Sequence, residues 1–231
     1  KNHVRENFQN QEELWRLESL LQDAEFRALQ SQVNPHFLFN VLSVATEAAL
    51  LENADRTVDI IEHISYMLHY GLTSVREDSW LTDELKMVRS YLFLQKERFG
   101  DRITFLDSTP EELPVLRIPG MTLQPIVENA VKHGLEYEEE DGKGHIRIEC
   151  RGEDDFIVFR VINNGGAIDL QKVAEVMRTP GTGYGIYNIC ERIELYYGPG
   201  SGLFPSITED GETCFTLKLN RTLEKETPTE T

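Results

Sequence analysis

The segment NPHFLFN, Asn34 to Asn40, sets an imidazole at His36 directly after an Asn-Pro pair and beside three large apolar residues, Phe37, Leu38 and Phe39. With an unperturbed pKa near ~6.5, imidazole is substantially neutral at cytoplasmic pH and nucleophilic in that form. A histidine among apolar neighbours is more often a packed core residue, so His36 needs partner chemistry elsewhere in the chain. ENAVKHG, Glu128 to Gly134, offers an acid, an amide, a cation and an imidazole in Glu128, Asn129, Lys132 and His133, which helical spacings of three and four bring to one broad face. Such a set suits Mg2+ and phosphate, because Mg2+ keeps several waters and needs only one or two protein oxygens beside phosphate ligands. NNGGAID, Asn163 to Asp169, follows an apolar run, and GTGYG, Gly181 to Gly185, precedes a helical pattern. Glycines at 165, 181, 183 and 185 let backbone amides approach phosphate closely, and a following helix adds unpaired amides at its positive end. GTGYG alone reads equally well as a turn and helix cap, since it lacks the Lys-Ser/Thr of a P-loop.

These residues must be positioned by helices first and by a sheet afterwards. Leu14, Leu17, Leu21, Ala24 and Ala28 recur at alternating spacings of three and four, the seam of a short coiled coil that pairs with a second copy or packs within one chain. At Asn34-Pro35 either a new helix begins, with Asn34 as N-cap and Pro35 in the first turn, or one continuous helix kinks. Leu38, Val41, Leu42 and Ala45, then Ile60, Ile61, Ile64, Met67, Leu68 and Gly71, give two helical faces across a turn near Asn53 to Asp55, a hairpin that forms a four-helix bundle with a second copy. A third helix is expected from a Thr82 cap to Phe99, ended by Gly100-Asp101.

Beyond Gly100 strands and helices alternate. Strands are expected at 103–106, 146–150 and 156–162, helices at 121–133 and 184–196, and a closing hairpin at 203–208 and 213–219. The fold class is therefore α+β: a coiled-coil linker over 1–30, a helical region over 31–99, an α+β sandwich over 100–220, and a disordered Lys/Glu/Thr/Pro tail over 221–231.

The net charge of −17 opposes binding to nucleic acid or anionic membranes. No apolar run is long enough to span a bilayer, and the first residue, Lys1, suggests a fragment of a longer chain. Cys150, Cys190 and Cys214 lack metal-ligand spacing and suit reduced, buried thiols. The acidic run Glu136 to Asp141 is read as a solvated loop.

The ordered set of motifs resembles the GHKL (Bergerat) ATP-binding fold shared by histidine kinases, gyrase, Hsp90 and MutL, with ENAVKHG like its N box, VINNGGAI like its G1 box and GTGYG like its G2 box. With NPHFLFN, YLFLQKERFGDR (Tyr91 to Arg102), LQPIVENAVKHG and GTGYGIYNICERIELYYG, the resemblance sharpens to LytS/YehU-like sensor histidine kinases, from about Leu29 to Leu219. It implies a homodimer in which His36 takes the γ-phosphoryl group of ATP and passes it to an aspartate of a response regulator receiver domain. Asn129 is implied as Mg2+ ligand, Glu128 as support for the metal or a proton relay, and Lys132 and His133 as contacts to phosphate or ribose. Asn163, Gly165, Gly181, Gly183 and Gly185 are implied to shape the nucleotide pocket and its lid. Asn40 occupies the position of an amide implicated in dephosphorylating the regulator. The expected location is the cytoplasmic portion of a bacterial inner-membrane sensor, reaching the membrane only through segments upstream of Lys1.

Two departures bear on this expectation. Asn163 stands where the G1 box usually has an aspartate that accepts the adenine amino hydrogens, with Ala167 in place of a later glycine. Phe37 stands where better-known histidine kinases place an acid after the phosphoacceptor. The competing readings are a GHKL ATPase in which Glu128 activates water without labelling His36, and a pseudokinase scaffold that dimerises without chemistry. His63 and His69 are rival phosphoacceptors without a comparable motif.

Overall fold

The computed structural model describes residues 34–73, 78–136, 143–165, 168–177, 179 and 184–221. The coiled coil read over 1–30, most of the acidic run, Gly181, Gly183 and the tail beyond Arg221 lie outside them. The chain divides into two compact units, Lys1–Ile61 and Glu62–Thr231.

In the first unit, α1 (Pro35–Leu51) begins where the sequence placed a discontinuity. Asn34 is extended (φ −74°, ψ 104°) and its Oδ1 accepts from Phe37 N at 3.3 Å, with Pro35 in the first turn. The helix therefore starts afresh at Pro35, whose missing amide hydrogen costs nothing at that position. Leu38, Phe39, Leu42 and Ala45 are half-buried, whereas Phe37, Val41, Val44 and Leu51 stay exposed at 63%, 47%, 66% and 85%. These four fall at spacings of four, three and seven, a stripe along one face, while Leu50, also exposed, lies off it. A turn with Asn53 at positive φ leads into α2 (Asp55–Thr73), which runs on into the second unit.

In the second unit, His63, Tyr66 and Tyr70 of α2 contact α3 (Leu81–Phe99). His63 Nδ1 lies 3.1 Å from Ser90 Oγ and its ring 4.2 Å from that of Phe93. Tyr66 donates to the Asp83 carbonyl at 3.3 Å. α3 starts one residue before the expected Thr82 cap, and Trp80 at its N-cap makes no side-chain cap. The Leu81 amide instead donates to the Leu116 carbonyl at 2.8 Å, so tertiary pairing does the work expected of the Thr82 hydroxyl.

β1 (Asp78–Trp80) and β3 (Arg117–Pro119) form a small antiparallel pair absent from the sequence expectation. The main sheet has the order β2-β4-β5-β7-β6, with β2 (Ile103–Ser108), β4 (Gly144–Glu153), β5 (Phe156–Asn163), β6 (Gly202–Ile207) and β7 (Thr213–Asn220). Only β2 and β4 run parallel. β5 is central, as its nearly unbroken apolar run predicts. Helices α4 (Leu123–Glu136) and α6 (Tyr184–Tyr197) pack on the sheet, and a short α5 (Leu170–Val176), also unforeseen, precedes α6. Leu85, Val88 and Leu92 of α3 share one buried cluster with Ile126 and Val127 of α4, Ile103, Ile146, Ile148 and Phe159 of the sheet, and Ile189 and Ile193 of α6. α3 thus belongs to the sheet's core, although the sequence texture changes only after it. Among the described residues no helix is long and apolar enough to cross a membrane.

Candidate functional site

His36 is exposed in the first turn of α1. Its Nδ1 lies 3.3 Å from the Asn40 amide nitrogen, a contact that the i, i+4 spacing of a helix provides. Phe37 is 63% exposed and does not anchor the imidazole within its own chain; Leu38 and Phe39 are the half-buried neighbours.

The second unit contains a cavity of about 200 Å³. Ala130, Ile168, Val173, Val176, Ile186 and Phe215 give it apolar walls, and Asn129, His133, Asn163, Lys172 and Thr213 supply its polar groups. Asn129 and His133 come from α4, where a spacing of four puts both on the cavity side. Glu128 and Lys132 are exposed and do not line it; Glu128 accepts from Gln124 Nε2 at 2.6 Å.

Asn163 ends β5, opposite Ile146 on one side and Thr213 on the other. It is only 2% exposed, and its Nδ2 has no hydrogen-bond partner. A buried amide donor left unpaired costs about 1–3 kcal/mol, so this group points to a ligand that completes it. The neighbouring Asn164 has a different task. Its Oδ1 accepts from His145 N at 2.7 Å and its Nδ2 donates to the Lys143 carbonyl at 3.0 Å, pinning the loop to the start of β4. Gly165 then passes so close to α4 that a Cβ would stand 2.5 Å from the His133 carbonyl oxygen and 2.7 Å from Asn163 Nδ2. Only glycine lets the loop run between the helix end and the buried amide.

The structure therefore gathers Asn129, His133 and Asn163 around one cavity, with Gly165 passing beside His133 and Asn163. Gly185 lies in the first turn of α6, while Gly181 and Gly183 fall outside the described residues. Lys172 has no place among the sequence-expected residues, because α5 is only seven residues long and too short to show helical periodicity. Its signal was present in Asp169, whose carboxylate caps the amides of Gln171 and Lys172 at 3.0 and 3.1 Å.

The donor set fits a Mg-nucleotide. The walls suit a flat heteroaromatic ring, and the orphaned Asn163 amide suits its polar edge. Among the described residues no three His, Cys, Asp or Glu side chains cluster as a metal cage. Burial pushes the Cys150 and Cys190 thiols up to about 11, so neither is a nucleophile at neutral pH.

Two other hallmark segments have structural duties. Lys96 Nζ donates to the carbonyls of Gly100 and Ile103 at 2.8 and 3.0 Å, closing the end of α3. Arg192 Nη2 donates to the Gly120 carbonyl at 2.8 Å, Tyr196 to Asp78 Oδ2 at 2.8 Å, and Tyr197 to the Arg117 carbonyl, fastening α6 to the small sheet and to the start of α4.

Residues 24–103 match the family model for histidine kinases, and residues 120–223 match the model for histidine kinase-, DNA gyrase B- and HSP90-like ATPases. Sensor histidine kinase BtsS of Escherichia coli is 31% identical, over 88% of this chain and 35% of its own length. Sensor histidine kinase YpdA of Escherichia coli is 33% identical over 80% and 32%, and sensor protein LytS of Staphylococcus haemolyticus 32% identical over 89% and 36%. The chain spans about a third of the length of these curated relatives. The chain thus joins a histidine kinase region to a histidine kinase-, DNA gyrase B- and HSP90-like ATPase region, and over most of its length it is similar to sensor histidine kinases such as BtsS, YpdA and LytS.

Proposed function

We propose that this chain is the kinase portion of a two-component sensor: it binds Mg-ATP in the cavity beside Asn163, phosphorylates its own His36, and donates the phosphoryl group to an aspartate of a response regulator. The observation that carries the nucleotide half is the buried, unpaired Asn163 amide at the edge of an apolar slot. Adenine presents an amino donor beside a ring-nitrogen acceptor, and a carboxamide offers the matching acceptor and donor. Asn163 is therefore a working replacement for the usual aspartate.

Asn129 would hold Mg2+ through its amide oxygen, and the ion would neutralise charge on the phosphates. His133 and Lys172 face the same space from α4 and α5 and suit the phosphate or ribose, with Lys132 and Glu128 farther out as electrostatic support and Gly181, Gly183 and Gly185 as the lid. In the transfer, the Nε2 lone pair of neutral His36 attacks the γ-phosphorus, the N–P bond forms, the bond to the β-phosphate oxygen breaks, and ADP leaves.

Asn40 governs which ring nitrogen is free. The amide nitrogen that faces Nδ1 in the structure would donate to it and leave the ring proton on Nε2; attack through Nε2 therefore requires the amide to rotate, so that Oδ1 accepts from Nδ1–H and Nε2 is unprotonated. After transfer the Nδ1 proton passes to water, and the amide, rotated back, donates to Nδ1 through Nδ2. This requires no acid at position 37. The exposed stripe of Phe37, Val41, Val44 and Leu51 supports a homodimer formed through α1.

Incubation with γ-labelled Mg-ATP tests the reading. The parent chain is expected to take an acid-labile, base-stable label that His36→Gln abolishes. Hydrolysis without label favours the ATPase reading, and failure to bind nucleotide at all favours the scaffold.

A further inference from the structure

Glu84 is the most deeply buried acid among the described residues, 1% exposed in the first turn of α3. Its Oε1 accepts from Met121 N at 2.6 Å, and its Oε2 from Thr122 N at 2.9 Å and Leu123 N at 2.8 Å. These are the amides at the start of α4, the helix that carries Asn129 and His133 to the cavity, and they would otherwise lack intrahelical acceptors. The Tyr70 hydroxyl of α2 donates to Oε1 and also lies 2.9 Å from Ser79 Oγ. Arg192 of α6 holds the carbonyl of Gly120, next to the same amides. One carboxylate thus joins α2, α3 and the start of α4, with α6 fastened alongside. None of Tyr70, Glu84 or Arg192 lines the cavity.

Burial pushes the Glu84 carboxyl up, against the Tyr70 hydroxyl and the three amides that favour its charged form. Burying an acid at such a cost is unnecessary for a helix start, which an exposed Ser or Asp caps as well. What the buried acid adds is a connection between elements.

We propose that Glu84 is a positioning residue for the nucleotide site: it fixes the start of α4 and makes that placement depend on Tyr70, so that the last turns of α2 set nucleotide affinity. The proposal rests on the cavity being the nucleotide site. A displacement of α2 that withdraws the Tyr70 hydroxyl leaves Oε1 with the Met121 amide alone and frees the carboxylate to shift with α4. In Glu84→Gln, an NH2 replaces one carboxylate oxygen, and at least one of the three amides loses its acceptor.

The test is calorimetric titration with Mg-ADP of the whole chain, its Tyr70→Phe and Glu84→Gln variants and the double variant, beside thermal melts. Each single variant is expected to weaken Mg-ADP binding about 5-fold, and the double variant to lose less than the product of the two. Lowered melting temperatures with unchanged affinity at 10 °C would reduce Glu84 to a structural cap and overturn the proposal. Should Glu84→Gln fail to fold, Tyr70→Phe decides, because it removes one hydroxyl and keeps the ring; parental affinity there overturns the coupling. A parent chain that binds no Mg-ADP overturns the nucleotide reading itself, and this inference with it.

Discussion

Asn163 concentrates the chemistry of the cavity in one amide. Replacing it with alanine removes both the acceptor and the donor offered to the base, and is expected to lower ATP affinity by about 1–3 kcal/mol, or roughly 5- to 150-fold, read by equilibrium titration. At His36, Asn40→Ala is expected to slow autophosphorylation several-fold, while Asn40→Asp, a stronger acceptor for Nδ1–H, restores or exceeds the parental rate; imidazole 15N shifts report the tautomer directly. The pairs that the structure brings close, His36 with Asn40, Asn129 with His133, and Asn163 with Gly165, are legible in the sequence as types and spacings. Their division of labour is not. Helical spacing puts Glu128 and Lys132 near Asn129, but only packing decides that the two former face solvent. Glu84 was invisible because an acid in a first turn reads as a dipole-compensating surface residue, and its burial depends on a tyrosine 14 residues earlier and amides 37 to 39 residues later.

At the scale of elements, the cap at Asn34 is what separates α1 from any helix before it. Asn34→Ala is expected to cost α1 about 1 kcal/mol and to lower its helicity near His36, measured by amide exchange. α3 is tied to β2 by Arg89, whose Nε lies 2.7 Å from Asp107 Oδ2. Burial raises the Asp107 carboxyl, but hydrogen bonds from Thr109 and Arg89 outweigh it and hold the group below its usual range. A lowered folded pKa contributes stability above the unfolded value near 3.9, lost as pH falls through the folded value. The melting-temperature difference between Asp107→Asn and the parent is therefore expected to be present at pH 7 and to shrink below about pH 3.9. Strands β4 and β5 followed from alternation and from an unbroken apolar run, whereas β1 and β3, three residues each, carry too little pattern to be read. The docking of α2 on α3 also escaped, because His63, Tyr66 and Tyr70 do not register as an apolar face.

Across the whole molecule, the −17 charge repels an anionic nucleotide, so association with Mg-ATP is expected to quicken as ionic strength rises from 10 to 150 mM, in stopped-flow traces. The stripe on α1, as the proposed dimer face, gives a second expectation: Val44→Glu shifts the chain toward monomer in sedimentation, since a charge placed in that apolar contact would be left unpaired. The parallel pairing of β2 with β4 has a consequence in time. Ile103 lies beside Gly144, and the chain between them is a crossover that contains α4. β2 cannot take its place until that long loop has closed, and contacts distant in sequence form slowly. The helix bearing Asn129 and His133 is expected to gain amide protection late in refolding, as read by pulse-labelled exchange. A newly made chain should acquire its secondary structure before it can hold a nucleotide, and abundant nucleotide should trap the finished fold rather than speed its arrival.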